Sequence, residues 1–247
     1  MIDWHTRYVQ QAAWTRPLRA YLFERCRLAG IRRILEVGCG TGAILAEPGC
    51  QPFSTYGIDH DPRSLTQAQR HALPAHLACA EAFALPYALG VFDMTFCHFL
   101  LLWVADPLRA LREMSRVTRP GGYVLALAEP DYLHRVDRPE PLVALGRLQT
   151  QALRDQGADP GLGLRLADLF VRAGIEIIET GPLQAEPVPL AEGQLEWAVL
   201  EHDLHGLVPA AQLEHWKSID RQARANGQRI LHVPTYFAFG RIPAPEA

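Results

Sequence analysis

Three glycines within five residues, directly after an apolar run, constrain the fold of this chain most. Residues 34–37 favour a strand, and Gly38, Gly40 and Gly42 follow them. A strand that ends in such a turn leaves backbone N–H groups free for an anionic or strongly polar ligand. Glycine also lets a ligand approach the backbone closely, because it has no side chain. The pattern predicts a buried strand, a tight turn and a helix start after Gly42, with a ligand site where the strand ends.

The composition is that of a globular chain without a strong charge bias. The 247 residues are enough for one large domain or for a domain with a cap. A net charge of −3 gives no reason to expect nucleic acid or an anionic membrane as a partner. The five cysteines lack paired spacing, which favours reduced thiols and a cytoplasmic location. The polar N-terminus does not resemble a signal peptide.

Strand and helix patterns alternate through the first half of the chain. Two helices are predicted within residues 1–30. Strands are predicted at residues 32–37, 54–58, 75–79, 91–97 and 121–128, with helices at 62–71 and 106–117 between them. This alternation predicts βαβ units and a parallel sheet in an α/β fold.

The regular alternation of strand and helix patterns ends at residue 129. Helices are predicted near residues 140–156, 163–173, 190–206 and 209–226, and strands at 175–179 and 236–239. We interpret residues 1–247 as a single domain with a ligand-binding core at 31–129. Segments 130–160 and 181–230 are predicted to be helical insertions that cap this core.

The glycine turn has two interpretations. Residues 38–43 match the dinucleotide pattern G-x-G-x-x-G/A, and Asp59 ends the second predicted strand about 20 residues further on. A carboxylate there can accept hydrogen bonds from the adenosyl ribose of NAD or of S-adenosylmethionine. Asp59 therefore does not separate the two cofactors.

Two other residues argue against an NAD(P)-dependent oxidoreductase. Glu36 lies beside the turn, where its charge would oppose a pyrophosphate but attract an ammonium or sulfonium group. Lys217 is the only lysine, and Leu213 lies four residues before it, so the Tyr-x-x-x-Lys pair of one dehydrogenase class is absent. The oxidoreductase remains an alternative, as does a binding module for S-adenosylmethionine without turnover.

Five motifs resemble those of the class I S-adenosylmethionine-dependent methyltransferases, particularly small-molecule enzymes that methylate quinone or sterol precursors. They lie at residues 36–42, 56–59, 81–87, 92–95 and 116–122, in the family's order and spacing. The resemblance implies a Rossmann-like, doubly wound sheet of seven strands with an antiparallel last strand, N-terminal helices and a helical lid. It implies S-adenosyl-L-methionine as cofactor and S-adenosyl-L-homocysteine as product. The methyl group would pass to an O, N, S or C atom of a small-molecule acceptor.

The resemblance also implies which residues bind the cofactor. The glycine turn would approach the methionine part, Glu36 its amino group and Asp59 the ribose hydroxyls. Glu81 stands where the family usually has aspartate, so the backbone of Ala82 is the firmer adenine contact. The full set comprises Tyr8, Trp14, Glu36, Gly38, Cys39, Gly40, Gly42, Asp59, His60, Glu81, Ala82, Cys97, His98 and Phe99.

The sequence shows no recognisable group of catalytic residues and no metal-ligand pattern. Methyl transfer depends largely on positioning, and a general base is needed only when the acceptor must lose a proton. Candidate bases or substrate contacts are Glu129, Asp131, Tyr132, His134, His202 and His205. Residues 97–100 lack the Asn-Pro-Pro-Tyr type of motif found in enzymes that methylate nucleic acid bases, which again favours a small acceptor.

Overall fold

The alternating strands and helices form one twisted sheet with helices on both faces. The computed structural model describes residues 2–28, 30–50, 53–183 and 193–244. The strands are β1 (Arg33–Val37), β2 (Ser54–Asp59), β3 (His76–Cys79), β4 (Phe92–Cys97), β5 (Thr118–Pro130), β6 (Val136–Arg138), β7 (Glu176–Pro182), β8 (Ile230–His232) and β9 (Thr235–Arg241).

Seven of these strands make the main sheet, in the order β3-β2-β1-β4-β5-β9-β7. Strands β1 to β5 pair in parallel, whereas β9 is antiparallel to both β5 and β7. In the register of the sheet, Val37 lies opposite Ile58 on one side and Cys97 on the other. The carboxyl ends of β1, β2 and β4 therefore meet at one edge. The predicted fold class and the antiparallel last strand are confirmed.

The helices are α1 (Trp4–Trp14), α2 (Arg16–Leu28), α3 (Pro62–His71), α4 (Pro107–Val117), α5 (Pro141–Asp155), α6 (Leu162–Arg172), α7 (Gly193–Asp203) and α8 (Ala210–Ala225). Two begin as their sequences predict. The Asp61 side chain accepts from the backbone N–H of Ser64 before α3, and Asp106 accepts from that of Arg109 before α4. Proline follows each capping aspartate, where its missing N–H does no harm. Among the described residues, no helix combines the length and apolar character needed to cross a membrane.

The prediction of a helix directly after Gly42 is wrong. Residues 41–46 form turns, and a short 3₁₀ helix follows at Pro48–Cys50. Pro48 lacks an N–H and disfavours helical geometry at the residue before it. Too few residues remain between Gly42 and Pro48 to repay the cost of helix nucleation.

Apolar side chains cover the sheet on both faces. Leu35 and Val124 pack with α4 and α6 on one face, whereas Ile34, Phe96 and Leu125 pack with α2 on the other. Neighbouring residues of one strand thus belong to opposite cores, which explains why these strands are apolar almost throughout. Burying each such side chain contributes roughly 1.5–3 kcal/mol.

Helices α5, α7 and α8 form a second, smaller unit, which we call the cap. They pack around their own apolar cluster, whose members include Leu142, Trp197, Leu200 and Trp216. Strands β6 and β8 pair antiparallel beside them. The cap thus draws on both predicted insertions, 130–160 and 181–230. Residues 184–192, which belong to the second, lie outside the described residues.

Candidate functional site

A cavity of about 1170 Å³ opens at the carboxyl ends of β1, β2, β4 and β5. Helix α1 borders it on one side, and α5 and α7 of the cap border it on another. A smaller cavity of about 170 Å³ adjoins it and shares Gly38, Asp59, His60 and Leu100 with it. In open α/β sheets, ligands bind outside the carboxyl ends of the strands, so these two cavities are the candidate site.

The glycine loop forms the floor of the large cavity. Gly38 and Gly40 have φ values of 74° and 51°. A Cβ atom on Gly38 would lie 2.6 Å from Leu100 Cδ1, and one on Gly40 would lie 3.1 Å from Tyr8 Cε2. The backbone conformation therefore favours glycine at both positions, and a side chain there would crowd Leu100 and Tyr8. Cys39, between them, also borders the cavity.

Gly42 has a packing role in the turn. It does not border either cavity. A Cβ atom there would lie 2.8 Å from Cβ of Ala72, at the end of α3. With a φ of 78°, Gly42 allows the turn to pack tightly against that helix. Its predicted contact with the cofactor stays a prediction.

The Asp59 carboxylate is held by two backbone N–H groups. Gly40 N donates to Oδ2 at 2.8 Å, and Asp61 N donates to Oδ1 at 2.9 Å. Each oxygen keeps a second lone pair, and Asp59 borders both cavities. The carboxylate is thus fixed where the two cavities join, ready to accept from two hydroxyl groups.

Glu36 carries an unsatisfied carboxylate oxygen. Its side chain is buried and borders the large cavity, and within the described residues Oε2 has no hydrogen-bond partner. Burial raises the pKa of Glu36 well above 4.5, although the nearby Arg19 charge opposes the shift. A buried acceptor without a donor costs free energy, so a ligand with an ammonium group would stabilise it. This orphaned oxygen fits the amino group of a methionine moiety.

The small cavity is mainly apolar. His60 and Glu81 border it and are exposed, whereas Ala82 is buried in its wall. Its apolar wall also contains Ile58, Phe83, Leu100, Trp103 and Val104. Such a slot suits a nucleobase, with the two exposed polar side chains at its rim.

Aromatic side chains from α1 and from the segment after β4 close the large cavity. Trp14 and Phe99 pack edge to face with ring centroids 6.3 Å apart. Phe99 has a φ of 51°, which is strained for a residue with a side chain. Its N–H donates to the carbonyl oxygen of Ala128 at 2.9 Å, which ties the segment to β5. Tyr8 lies over Gly40 and borders the same cavity.

His98 borders the large cavity and is tied to α1 and α2. Its Nε2 lies 3.0 Å from Oγ1 of Thr15, and Arg19 donates to that same Oγ1. Burial, with a smaller effect of the Arg19 charge, lowers the pKa of His98 from 6.5 to about 3. The imidazole is therefore neutral near pH 7, and as arranged it is a poor general base.

Cys97 does not border either cavity. Its side chain is fully buried between neighbouring strands, and burial raises the pKa of its thiol well above 9. A thiol in such surroundings is unreactive. The predicted contact of its backbone carbonyl with the cofactor stays a prediction.

Several candidate bases serve the local structure instead. Glu129 is fully buried and accepts from the backbone N–H groups of Leu100, Leu101 and Leu102. It therefore caps the 3₁₀ helix Leu101–Trp103, and burial raises its pKa to about 7. Asp131 accepts from the backbone N–H of Leu133. Neither acid borders a cavity, and His134 and His205 also lie outside both.

The cap adds cavity residues that the sequence did not predict. Tyr132 and His202, which were candidates, border the large cavity together with Arg135, Gln149, Glu196 and Asp203. These four come from distant parts of the chain, so no local pattern marks them as a group. In the part of the chain that the structure describes, no three His, Cys, Asp or Glu side chains are placed to hold a metal ion.

Comparison with known proteins agrees with this geometry. Residues 35–126 match the family model described as a methyltransferase domain, a segment that runs from β1 into β5. Malonyl-[acyl-carrier protein] O-methyltransferase of Halorhodospira halophila is 33% identical over 140 residues, which cover 53% of this chain and 47% of that protein. Ubiquinone biosynthesis O-methyltransferase of Aromatoleum aromaticum is 34% identical over 115 residues, which cover 44% of this chain and 48% of that protein.

The chain thus spans about half the length of these relatives. A solved structure of a SAM-dependent methyltransferase from Methanosarcina mazei is similar to this chain over a larger share of its length. Its TM-score is 0.55 at 17% identity, and the match covers 86% of this chain and 92% of that one. At this identity the similarity shows the fold.

Proposed function

We propose that this chain carries a class I S-adenosylmethionine-dependent methyltransferase domain, which binds S-adenosylmethionine and methylates a small-molecule acceptor. Residues 35–126, which match the domain, include Glu36, the glycine loop and Asp59. The acceptor class follows the relatives, whose names include malonyl-[acyl-carrier protein] O-methyltransferase and ubiquinone biosynthesis O-methyltransferase. The net charge of −3 agrees with a small acceptor and not with nucleic acid.

One observation carries the proposal. A buried carboxylate oxygen without a donor, on Glu36, borders the same cavity as the glycine loop and Asp59. These groups suit the ammonium, the methionine chain and the ribose diol of one molecule. A pyrophosphate would bring negative charge to Glu36, which electrostatic repulsion disfavours.

The residues would act by binding, orientation and exclusion of water. When bound, S-adenosylmethionine supplies a sulfonium-linked methyl group, which the lone pair of the acceptor takes as the C–S bond electrons return to sulfur. Glu36 would hold the amino group of the cofactor and Asp59 its ribose hydroxyls, and the small cavity would take the adenine. Tyr8, Trp14 and Phe99 cover the reacting region and limit the access of water. The rest of the large cavity, under the cap, receives the acceptor.

Cofactor binding is tested by calorimetry with S-adenosylhomocysteine. We expect Asp59→Ala to weaken affinity roughly 10- to 100-fold, because it removes charged hydrogen bonds to the ribose. Asp168→Ala is the control, since Asp168 is an exposed residue of α6 outside both cavities. Equal affinity of both variants, or tighter binding of NADH than of S-adenosylhomocysteine, would contradict the proposal.

Turnover is measured separately, as release of S-adenosylhomocysteine with a panel of small acceptors. Binding without release for every acceptor would favour the binding module over the enzyme.

A further inference from the structure

The cap wall of the large cavity contains a carboxylate, Asp203, for which the described residues provide no ion-pair partner. Arg135 donates to Oε1 of Gln149, and Gln149 Nε2 donates to Oδ2 of Asp203 at 2.8 Å. Arg135, Gln149 and Asp203 all border the cavity. Because Arg135 fixes the orientation of the Gln149 amide, Asp203 receives one neutral hydrogen bond.

Every other acid of this network has a guanidinium partner. Asp137 is paired with Arg135 and with Arg229. Asp220 is paired with Arg229 and with Arg224. Glu196 is paired with Arg224, at 3.0 Å. The network therefore holds four carboxylates and three guanidinium groups, and the unmatched negative charge lies on Asp203.

Three features make this position unfavourable for a carboxylate in the absence of a ligand. Asp203 is only 8% exposed, and a buried charge without a partner is costly. It is also the last residue of α7, where the helix dipole disfavours negative charge. Within the described residues, Oδ1 of Asp203 has no hydrogen-bond donor.

The surroundings suit a cation. Tyr132 borders the cavity within electrostatic range of Asp203 and Glu196. Burial is the main cause that raises the pKa of its phenol; the charges of Arg135 and Arg7 oppose this shift, and the two carboxylates add to it. An aromatic ring beside carboxylates is a favourable environment for an ammonium group. Arg7, on the α1 wall, lies over Trp14 and donates to Gln10.

We propose that Asp203 binds a positively charged group, such as an ammonium, on the methyl acceptor. The inference deepens the proposed function and rests on it, since it assigns the chemical class of the acceptor. The cavity is continuous from Glu36 to Asp203, so one ligand can lie between the cofactor region and the cap. Acceptors that carry only a carboxylate would be repelled from this end.

Thermal unfolding of the whole chain tests the unmatched charge without any acceptor. Asp203→Asn keeps an oxygen that can accept from Gln149 while it removes the charge, so we expect Tm to rise by roughly 2–4 °C. Asp220→Asn is the matched control, because Asp220 is buried and paired with two guanidinium groups; we expect its Tm to fall. A fall in Tm for Asp203→Asn like that of the control would overturn the proposal.

Binding of a cationic probe tests the ligand class. In the protein saturated with S-adenosylhomocysteine, we expect 2-phenylethylamine to bind about tenfold more tightly than the neutral 2-phenylethanol. In Asp203→Asn this preference should disappear, while the affinity for S-adenosylhomocysteine stays unchanged. Equal binding of the two probes, or no binding of the amine at millimolar concentration, would overturn the assignment of Asp203.

The two proposals fail in different ways. If the unaltered protein binds S-adenosylhomocysteine but shows no preference for the amine, the assignment of Asp203 alone is wrong. If it does not bind S-adenosylhomocysteine, the proposed function is wrong.

Discussion

At the scale of single residues, the hydrogen bonds around Thr15 decide what His98 can do. Thr15 Oγ1 accepts from Arg19, so its own proton goes to His98 Nε2 at 3.0 Å or to the carbonyl oxygen of Ala12 at 3.3 Å. That carbonyl already accepts from Arg19 at 2.6 Å, which leaves His98 Nε2 as the better acceptor. The ring proton then lies on Nδ1, and His98 is a hydrogen-bond donor and not a base.

We expect nitrogen NMR of histidine-labelled protein to show His98 as the neutral Nδ1–H tautomer from about pH 5 to 8. A His98→Asn variant would identify its signals. Because folding lowers the pKa of His98 from 6.5 to about 3, its contribution to stability is present above pH 6.5 and is lost as the pH falls below it. An Nε2–H tautomer, or titration near the usual value, would contradict this assignment.

At the scale of elements, the packing of the glycine loop against α3 explains Gly42. Gly42 and Gly174 have φ values of 78° and 77°. A Cβ atom on Gly42 would meet Ala72 at 2.8 Å, whereas one on Gly174 would meet nothing within 4 Å. We expect Gly174→Ala to lower the free energy of unfolding by about 1–2 kcal/mol, and Gly42→Ala by roughly 1–3 kcal/mol more. Urea unfolding measures the difference, and equal losses would show that the loop does not pack tightly on α3.

The same scale shows what periodicity predicts. A long apolar run predicts strand β5, and an Asp-Pro pair predicts the start of helix α4. The three-residue strands β6 and β8 were not predicted. They are too short to show the alternation of apolar and polar residues that marks a strand, and about ninety residues separate them in the chain. The prediction of a helix after Gly42 was wrong, because the segment before Pro48 is too short to form one. Among the motif residues, Asp59 borders both cavities, whereas Gly42 and Cys97 border neither, and their cofactor contacts stay predictions.

At the scale of the whole molecule, the site lies between a sheet edge and a cap. The sequence predicts both, but it does not show which side chains of the cap meet at the cavity. The core motifs follow one another along residues 36–122, so their spacing alone indicates a shared site. Gln149 and Asp203 are 54 residues apart and meet only when α5 and α7 pack together. The contact between Gln149 and Asp203 therefore has no local signal in the sequence, because long-range packing brings the two residues together.

A crystal structure of the complex with S-adenosylhomocysteine tests the central claim most directly. We expect the adenine in the cavity bordered by Ala82, the ribose hydroxyls on Asp59, and the amino group within hydrogen-bond distance of Glu36. A nucleoside bound elsewhere, or an amino group turned away from the unpaired Glu36 oxygen, would contradict the proposed site.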